Sequence, residues 1–182
     1  MRALFRGSRL RYMPFTPDQK QALHDLDQLG ALSEDSQEFL RAAVTTAGAY
    51  FLPLHIECGI TLHNQGQLVS VAQSHPILEV IEEMQNPDDG GPVFESIERG
   101  ATTVVHEAAN DPRWPQYLQM VAGHGFHSIL SVCLAATGTT RATINFYAEP
   151  PHSFTPGLRM AGEHFAAATA QHLRAHLTRR RL

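Results

Sequence analysis

An α+β fold organised on one β-hairpin is what the sequence predicts, and three observations predict it. Residues Gly125 to Pro150 read GFHSILSVCLAATGTTRATINFYAEP, two apolar runs joined by a short Thr-rich connection containing Gly138, which is a hairpin pattern. From Thr155 to about Thr178 the chain is Ala-rich, and Leu158, Ala161, Phe165, Ala168 and His172 recur at three- and four-residue steps, one long helix with an apolar face. Ahead of the hairpin, alternating runs and helical periods take turns, as strands and helices added to it.

Bulk properties narrow the class. At 182 residues the chain is one domain plus an extension, long enough to bury a core without metal or disulfide staples. Hydrophobic residues at 43% and charged residues at 18% exclude wholesale disorder. A net charge of -4 gives no general attraction to nucleic acid. Arg2, Arg6, Arg9 and Arg11 near the start and Arg174, Arg179, Arg180 and Arg181 near the end read as solvated tails, because neither set belongs to a recognisable nucleic-acid-binding module. Cys58 and Cys133, the only cysteines, each sit in an apolar strand pattern, where a thiol behaves as a small core residue. The first residues lack the apolar stretch of a secretory signal, and no run reaches membrane-spanning length, so a reduced, cytoplasmic protein without a membrane partner is expected.

In order along the chain, Met1 to Phe15 show no period and are expected to be a flexible tail over 1–15. A helical extension over 16–32 opens at Thr16 with Pro17 at its first position and Gln19 placed to close a capping box. Leu23, Leu26 and Leu29 fall on one side, and Gly30 is expected to stop it. A second helix opens at Ser33 with Glu34 and Asp35 at its positive end, carries Phe39, Leu40, Ala43, Val44 and Ala47 as its stripe, and is expected to end at Gly48. From His55 to His63 the residues Ile56, Cys58, Ile60 and Leu62 alternate with Glu57, Gly59 and Thr61, a half-buried strand. Asn64 to Gln67 is the turn, and Leu68 to Gln73 the returning strand. Pro76 to Gln85 carries Ile77, Leu78, Ile81 and Met84 at helical spacing, and Asn86 to Gly91 breaks it. A short helix runs from Pro92 to Arg99 and stops at Gly100, followed by a β-branched strand over Thr102 to His106. Asp111 and Pro112 predict another helix as cap and first residue, running to about Ala122. The globular domain spans 33–178, with a basic tail over 179–182.

Several phrases in this order resemble the GAF domain family, over about Ser33 to Leu177. They are Gly91-Pro92 before a helix ending in Arg99-Gly100, Thr103-Val104-Val105, Asp111-Pro112-Arg113-Trp114-Pro115, Gly125 to Val132, Ile144 to Ala148, and Phe154-Thr155 opening the last helix. The chain is most similar to GAF modules of high-GC bacterial regulators, and thirteen Arg against one Lys fits that origin. Val93 stands where such modules often have Cys after Gly-Pro, and Val132-Cys133-Leu134 where they often read Val-Pro-Leu. The ANTAR output module that often follows is not seen, so a separate output protein is expected. The resemblance implies an antiparallel sheet of five or six strands, terminal helices on one face, and short helices and loops covering a pocket on the other. It further implies a non-enzymatic sensory or regulatory domain that binds a small molecule and dimerises through its terminal helices. Alternatives are an interaction module with no ligand, a haem-binding sensor, and a GAF-fold enzyme of the methionine sulfoxide reductase kind.

The candidate pocket group is Phe94, Ile97, His106, Trp114, Tyr117, Leu118, His127, Ser131, Asn145 and Tyr147, drawn from the covering helices and the strands beneath them. An apolar cleft with a few polar groups is what a small-molecule pocket needs, and Thr143, Asn145 and Tyr147 share one face of their strand. The plainer reading makes Trp114 and Tyr117 core-closing side chains and gives Asn145 a backbone partner. His124 and His127 flank the hairpin near a position where some GAF modules ligate haem, but the register does not match. His172 and His176 stand at i, i+4 without a third metal ligand in view. No phosphate loop, nucleophile elbow or reactive cysteine set is present, so no catalytic residues are assigned.

Overall fold

The computed structural model describes residues 17–33, 35–51, 54–64, 67–85, 89–134 and 141–179. The expected tail over 1–15, the cap at Thr16, Glu34, most of the turn and break at 65–66 and 86–88, the connection holding Gly138, and the end at 180–182 lie outside the described residues. Those described form helices α1 (Pro17–Leu32), α2 (Ser36–Phe51), α3 (Ile77–Glu83), α4 (Pro92–Arg99), α5 (Pro115–Gly123) and α6 (Pro156–Arg179), and strands β1 (Ile56–Asn64), β2 (Gln67–Gln73), β3 (Thr103–Val105), β4 (Ser128–Leu134) and β5 (Arg141–Ala148). The strands make one antiparallel sheet in the order β2-β1-β5-β4-β3. The predicted hairpin is β4 and β5, and β5 lies at the centre of the sheet.

The alternation of side chains along β5 separates the two faces. Ala142, Ile144, Phe146 and Ala148 point into a core shared with Ile56, Cys58 and Ile60 of β1 and Leu130, Val132 and Leu134 of β4. Phe39, Val44 and Phe51 of α2 and Phe165 and Leu173 of α6 close that core, and α1 lies on α2 and α6. Each fully buried aliphatic or aromatic side chain there stabilises the fold by about 1.5–3 kcal/mol.

Two expected helix stops are packing glycines instead. α1 continues through Gly30 to Leu32, and a Cβ at Gly30 would stand 2.2 Å from the His172 ring of α6. α2 continues through Gly48 to Phe51, with Gly48 backing onto Ser74. A small residue lets two elements approach closely, and that use looks the same in sequence as a C-terminal cap. By contrast Gly100, in the left-handed region at φ 59°, does cap α4.

On the other face α3 lies over β1 and β2, α4 over β3, β4 and β5, and α5 joins Leu78 and Ile81 of α3 in a second core with Ile129 and Tyr147. β1 is therefore covered on both faces, not half-buried: Gly59 and Thr61 are as buried as Ile60. α5 starts at Pro115, three residues later than expected, because the Asp111 carboxylate accepts the Arg113 backbone N–H and its guanidinium and so stays in the loop. α3 is shorter than predicted, and Met84, just past its end, is 54% exposed. A β-bulge between Ile60 and Thr61 pairs them with Ala72 and Ser70, so Val71 is the extra residue and Ser70 turns to the face opposite Ala72.

Close approach makes a prediction. A Cβ at Gly59 would sit 2.5 Å from Glu82 Oε1, so Gly59→Ala should lower unfolding free energy by about 1–3 kcal/mol in denaturant titration. Gly123→Ala, where a Cβ meets nothing within 4 Å, should be neutral or slightly stabilising.

Candidate functional site

The face under α3, α4 and α5 is polar at its centre. Asn145, in the middle of β5, donates from Nδ2 to Glu82 Oε1 at 2.8 Å and to Thr61 Oγ1 at 3.0 Å, and its Oδ1 accepts the Ser131 hydroxyl at 2.6 Å. Ser70, turned inward by the bulge, donates to the other Glu82 oxygen at 2.5 Å. One buried chain of hydrogen bonds thus joins β4, β5, β1, β2 and α3. Glu82 is fully buried, and no basic side chain among the described residues pairs with it.

Burial is the dominant influence on this carboxyl: it pushes the pKa from 4.5 up to about 7 against the pull of the Ser70, Asn145 and Thr61 hydrogen bonds. Around it, Thr143 Oγ1, Thr103 Oγ1 and Gln85 Nε2 are buried without a hydrogen-bond partner, and the buried Tyr117 and Tyr147 hydroxyls have only each other. Desolvation raises both tyrosine pKa values, and the charge of Glu82 reaches both phenols. Leaving a buried polar group unpaired costs about 1–3 kcal/mol.

At the rim, Arg113 knots the covering layer together. Its guanidinium meets Glu95 of α4 at 2.9 Å, the Asp111 carboxylate, and the Val104 carbonyl of β3 at 2.7 Å, and it lies 4.5 Å over the Trp114 ring. The Arg113 hydrogen bonds hold the Asp111 carboxyl below its usual range. Beside this knot a surface depression of about 400 Å³ is lined by Asp89, Gly90, Gly91, Phe94, Glu95, Glu98, Arg113 and Trp114.

Eight of the ten sequence-derived site residues lie on this face or its rim. Tyr117, Leu118 and Tyr147 share one apolar cluster with Trp114 packed against it, Phe94 and Ile97 share another with Leu68 and Val93, and Ser131 bonds to Asn145. Asn145 finds side-chain partners and not the backbone bond of the plainer reading. His106 is exposed and stacks on His152 with ring centroids 6.3 Å apart, and His127 is half-buried, so neither joins the polar centre. Glu82, Thr61 and Ser70 were not among the expected residues. The signal for Glu82 was present: Leu78, Ile81, Glu82 and Gln85 fall on one helical face, an acid on an apolar stripe. His172 is occupied by Asp27, Nε2 to Oδ1 2.9 Å, and the His176 side chain lies outside the described residues. Among the described residues no group of three His, Cys, Asp or Glu side chains is arranged to hold a metal ion, and no helix is long and apolar enough to cross a membrane.

The raised Glu82 pKa has a definite sign in stability. Between 4.5 and about 7 the folded state holds a proton that the unfolded state has released, so this carboxyl's contribution is full below 4.5 and is lost as pH rises to about 7. Denaturant titrations of wild type and Glu82→Gln should show the variant gaining relative stability over that window, by roughly 3 kcal/mol at pH 8 compared with pH 4.5.

The family model described as GAF domain matches residues 35–173. No curated protein matches the chain. Among solved structures, free methionine-R-sulfoxide reductase from Neisseria meningitidis, in complex with its substrate, superposes with TM-score 0.72 at 15% identity, covering 94% of this chain and 98% of that one. The GAF domain of an Acinetobacter phosphoenolpyruvate-protein phosphotransferase gives TM-score 0.64 at 13% identity over 92% and 100%. A bacteriophytochrome from R. palustris gives 0.66 at 9% identity over 94% of this chain and 40% of that one. At such identities these likenesses establish the fold alone. The family model, however, spans most of the sequence: the chain belongs to the GAF domain family, a family of sensory and regulatory domains.

Proposed function

We propose that this GAF domain is a non-enzymatic sensor that binds a small molecule between β1, β5 and β4 and the layer of α3, α4 and α5, and dimerises to pass the signal to a partner. The observation that carries the reading is the convergence on one sheet face of a fully buried carboxyl, Glu82, with the buried hydroxyls of Tyr117, Tyr147 and Thr143. Convergent polar groups inside an apolar wall are the pattern of a ligand site. Trp114 and Phe94 line the surface depression at the rim of the covering layer.

A thiol-based enzyme reading is disfavoured by the cysteines. Cys58 is buried in the helical-face core, its thiol pushed up by desolvation and its Sγ donating to the Val44 carbonyl. Cys133 alternates with Val132 and Leu134 and so points to the other face, and burial raises its pKa too. Two thiols on opposite faces, both held protonated, are poor nucleophiles and cannot form a pair.

Self-association is supported by a groove of about 760 Å³ between α1 and α2, with Ala22, Ala49, Tyr50 and Leu54, the last 45% exposed, as its apolar wall and Asp18, Gln21, Asp25, Thr45 and Thr46 as its polar lining. Light scattering at tens of micromolar should give a dimer mass, and Ala49→Arg should reduce it to a monomer with an unchanged circular dichroism spectrum. A monomer mass for wild type would remove this part of the proposal.

One observation favours the ligand-free interaction module instead: Leu118, Phe126, Ile129 and Tyr147 fill much of the space beneath the covering layer. Native mass spectrometry and an absorption spectrum of freshly purified protein separate the two. A reproducible added mass on each protomer supports the sensor. Trp114→Ala should then weaken binding at least tenfold while shifting stability by no more than about 1–2 kcal/mol, because the ring is half-exposed. A clean apo protein in which Trp114→Ala only loosens the fold supports the interaction module.

A further inference from the structure

We propose that the groove between α1 and α2 is filled by residues 1–15 of a second copy of this chain, so that two protomers exchange basic arms. The inference rests on the dimer reading above and names the part of the second copy that enters the groove.

The groove sets the chemistry of its occupant. Ala22, Ala49, Tyr50 and Leu54 make its apolar wall, and Asp18 and Asp25 stand on the α1 side, both exposed. No lysine, arginine or histidine lines it. Asp25 accepts the Gln21 side-chain amide at 2.8 Å, and among the described residues neither carboxylate has a basic partner. A segment that fits here brings apolar side chains to the wall and positive charge to the rim.

A second copy cannot supply that with the same surface. Two grooves placed face to face across a two-fold axis oppose one hollow to another and set the carboxylates of one against those of its mate. The occupant is therefore a different and basic part of the chain. Arg179, Arg180 and Arg181 stand together with no apolar residue among them. Residues 1–15, outside the described residues, read MRALFRGSRLRYMPF. They hold Arg2, Arg6, Arg9 and Arg11 and no acid, with Leu4, Phe5, Leu10 and Tyr12 interleaved. That is the charge and the apolar content that the groove lacks.

The segment is also rooted in the right place. It leads to α1 at Pro17, one residue from Asp18, so the arm of each protomer starts at the edge of a groove. Fifteen residues can span up to about 50 Å, whereas the groove runs roughly 10 Å along α1 from Asp18 to Asp25. Where two such grooves meet at a two-fold axis, each arm reaches the hollow of the other copy.

The test is light scattering of two full-chain variants at tens of micromolar, alone and mixed, with circular dichroism to report folding. Arg2→Glu/Arg6→Glu/Arg9→Glu/Arg11→Glu makes an arm that an acidic groove repels, and Asp18→Lys/Asp25→Lys makes a groove that repels a basic arm. Each alone should weaken dimerisation at least tenfold and give a monomer mass. Their equimolar mixture should give a dimer, because each groove then meets an arm of opposite charge. Variants that stay dimeric overturn the arm assignment and leave the groove dimer standing on Ala49→Arg. Monomeric variants whose mixture stays monomeric overturn the exchange between copies. A monomer mass for wild type removes the dimer reading and this inference with it. The arm variant changes nothing in α1 or α2, so a dimer mass for it alone refutes the proposal even if Asp18→Lys/Asp25→Lys does not fold.

Discussion

The bond from Asn145 to Glu82 ties the two halves of this molecule together. The sheet and its helical backing would cohere through apolar burial alone, since α2, α6 and the inward strand residues form one continuous core. The layer of α3, α4 and α5 has smaller apolar contacts, divided between two clusters on either side of a polar centre. What spans that centre is the chain from Ser131 through Asn145 to Glu82 and Ser70. Remove Asn145 and Glu82 loses a donor, Ser131 loses its side-chain acceptor and α3 loses its polar hold on β5, all inside a medium where water cannot substitute.

That constraint explains features otherwise unrelated. Gly59 lacks a side chain because the Glu82 carboxyl rests on its Cα. The bulge at Ile60 and Thr61 exists in a strand pair that would otherwise aim Ser70 and Ala72 at the same face, and it delivers a hydroxyl to the carboxyl while Ala72 stays in the helical core. Gln85, one helical turn beyond Glu82's neighbour Ile81, accepts the Val93 N–H and packs so tightly on Gly91 that a Cβ there would overlap it. α3 is therefore pinned at Glu82 by the sheet and beyond its end by the start of α4, so the two covering helices are tied to each other.

Element order was legible in the sequence because it follows from period alone: the hairpin stands where the pattern puts it, and of the predicted α6 stripe Ala161 and Phe165 are buried in the helical core while Leu158 and Ala168 pack at its edge. Element ends were less legible, since Gly30 and Gly48 serve close packing against His172 and Ser74, contacts made 142 and 26 residues away in sequence (172 − 30 and 74 − 48). In the candidate site, Ser131, Asn145, Tyr117 and Tyr147 were legible as polar or amphipathic residues on known faces. Glu82 was not, because an acid beside Glu83 in a short helix reads as solvated surface unless its place on the stripe of Leu78 and Ile81 is weighed above its charge. Ser70 was beyond reach, since its direction depends on a bulge that no local pattern announces.

The arrangement also bears on how such a domain would report occupancy. β1 and β5 are each shared by both faces: Thr61, Asn145 and Tyr147 look toward the covered polar side, while Ile60, Ile144 and Phe146 look into the helical core. Phe146 meets Phe51 of α2 edge-on at 4.8 Å and lies against Gly162 of α6, where even a methyl group would collide with Leu130. A close-packed core of this kind does not absorb a displacement gradually. The strands that carry Asn145 and Thr61 are thus packed without slack on α2 and α6, and those two helices are the ones on which α1 rests. The glycine at 162 lets α6 sit directly on Leu130 and Phe146 and leaves no slack between the sheet and that helix.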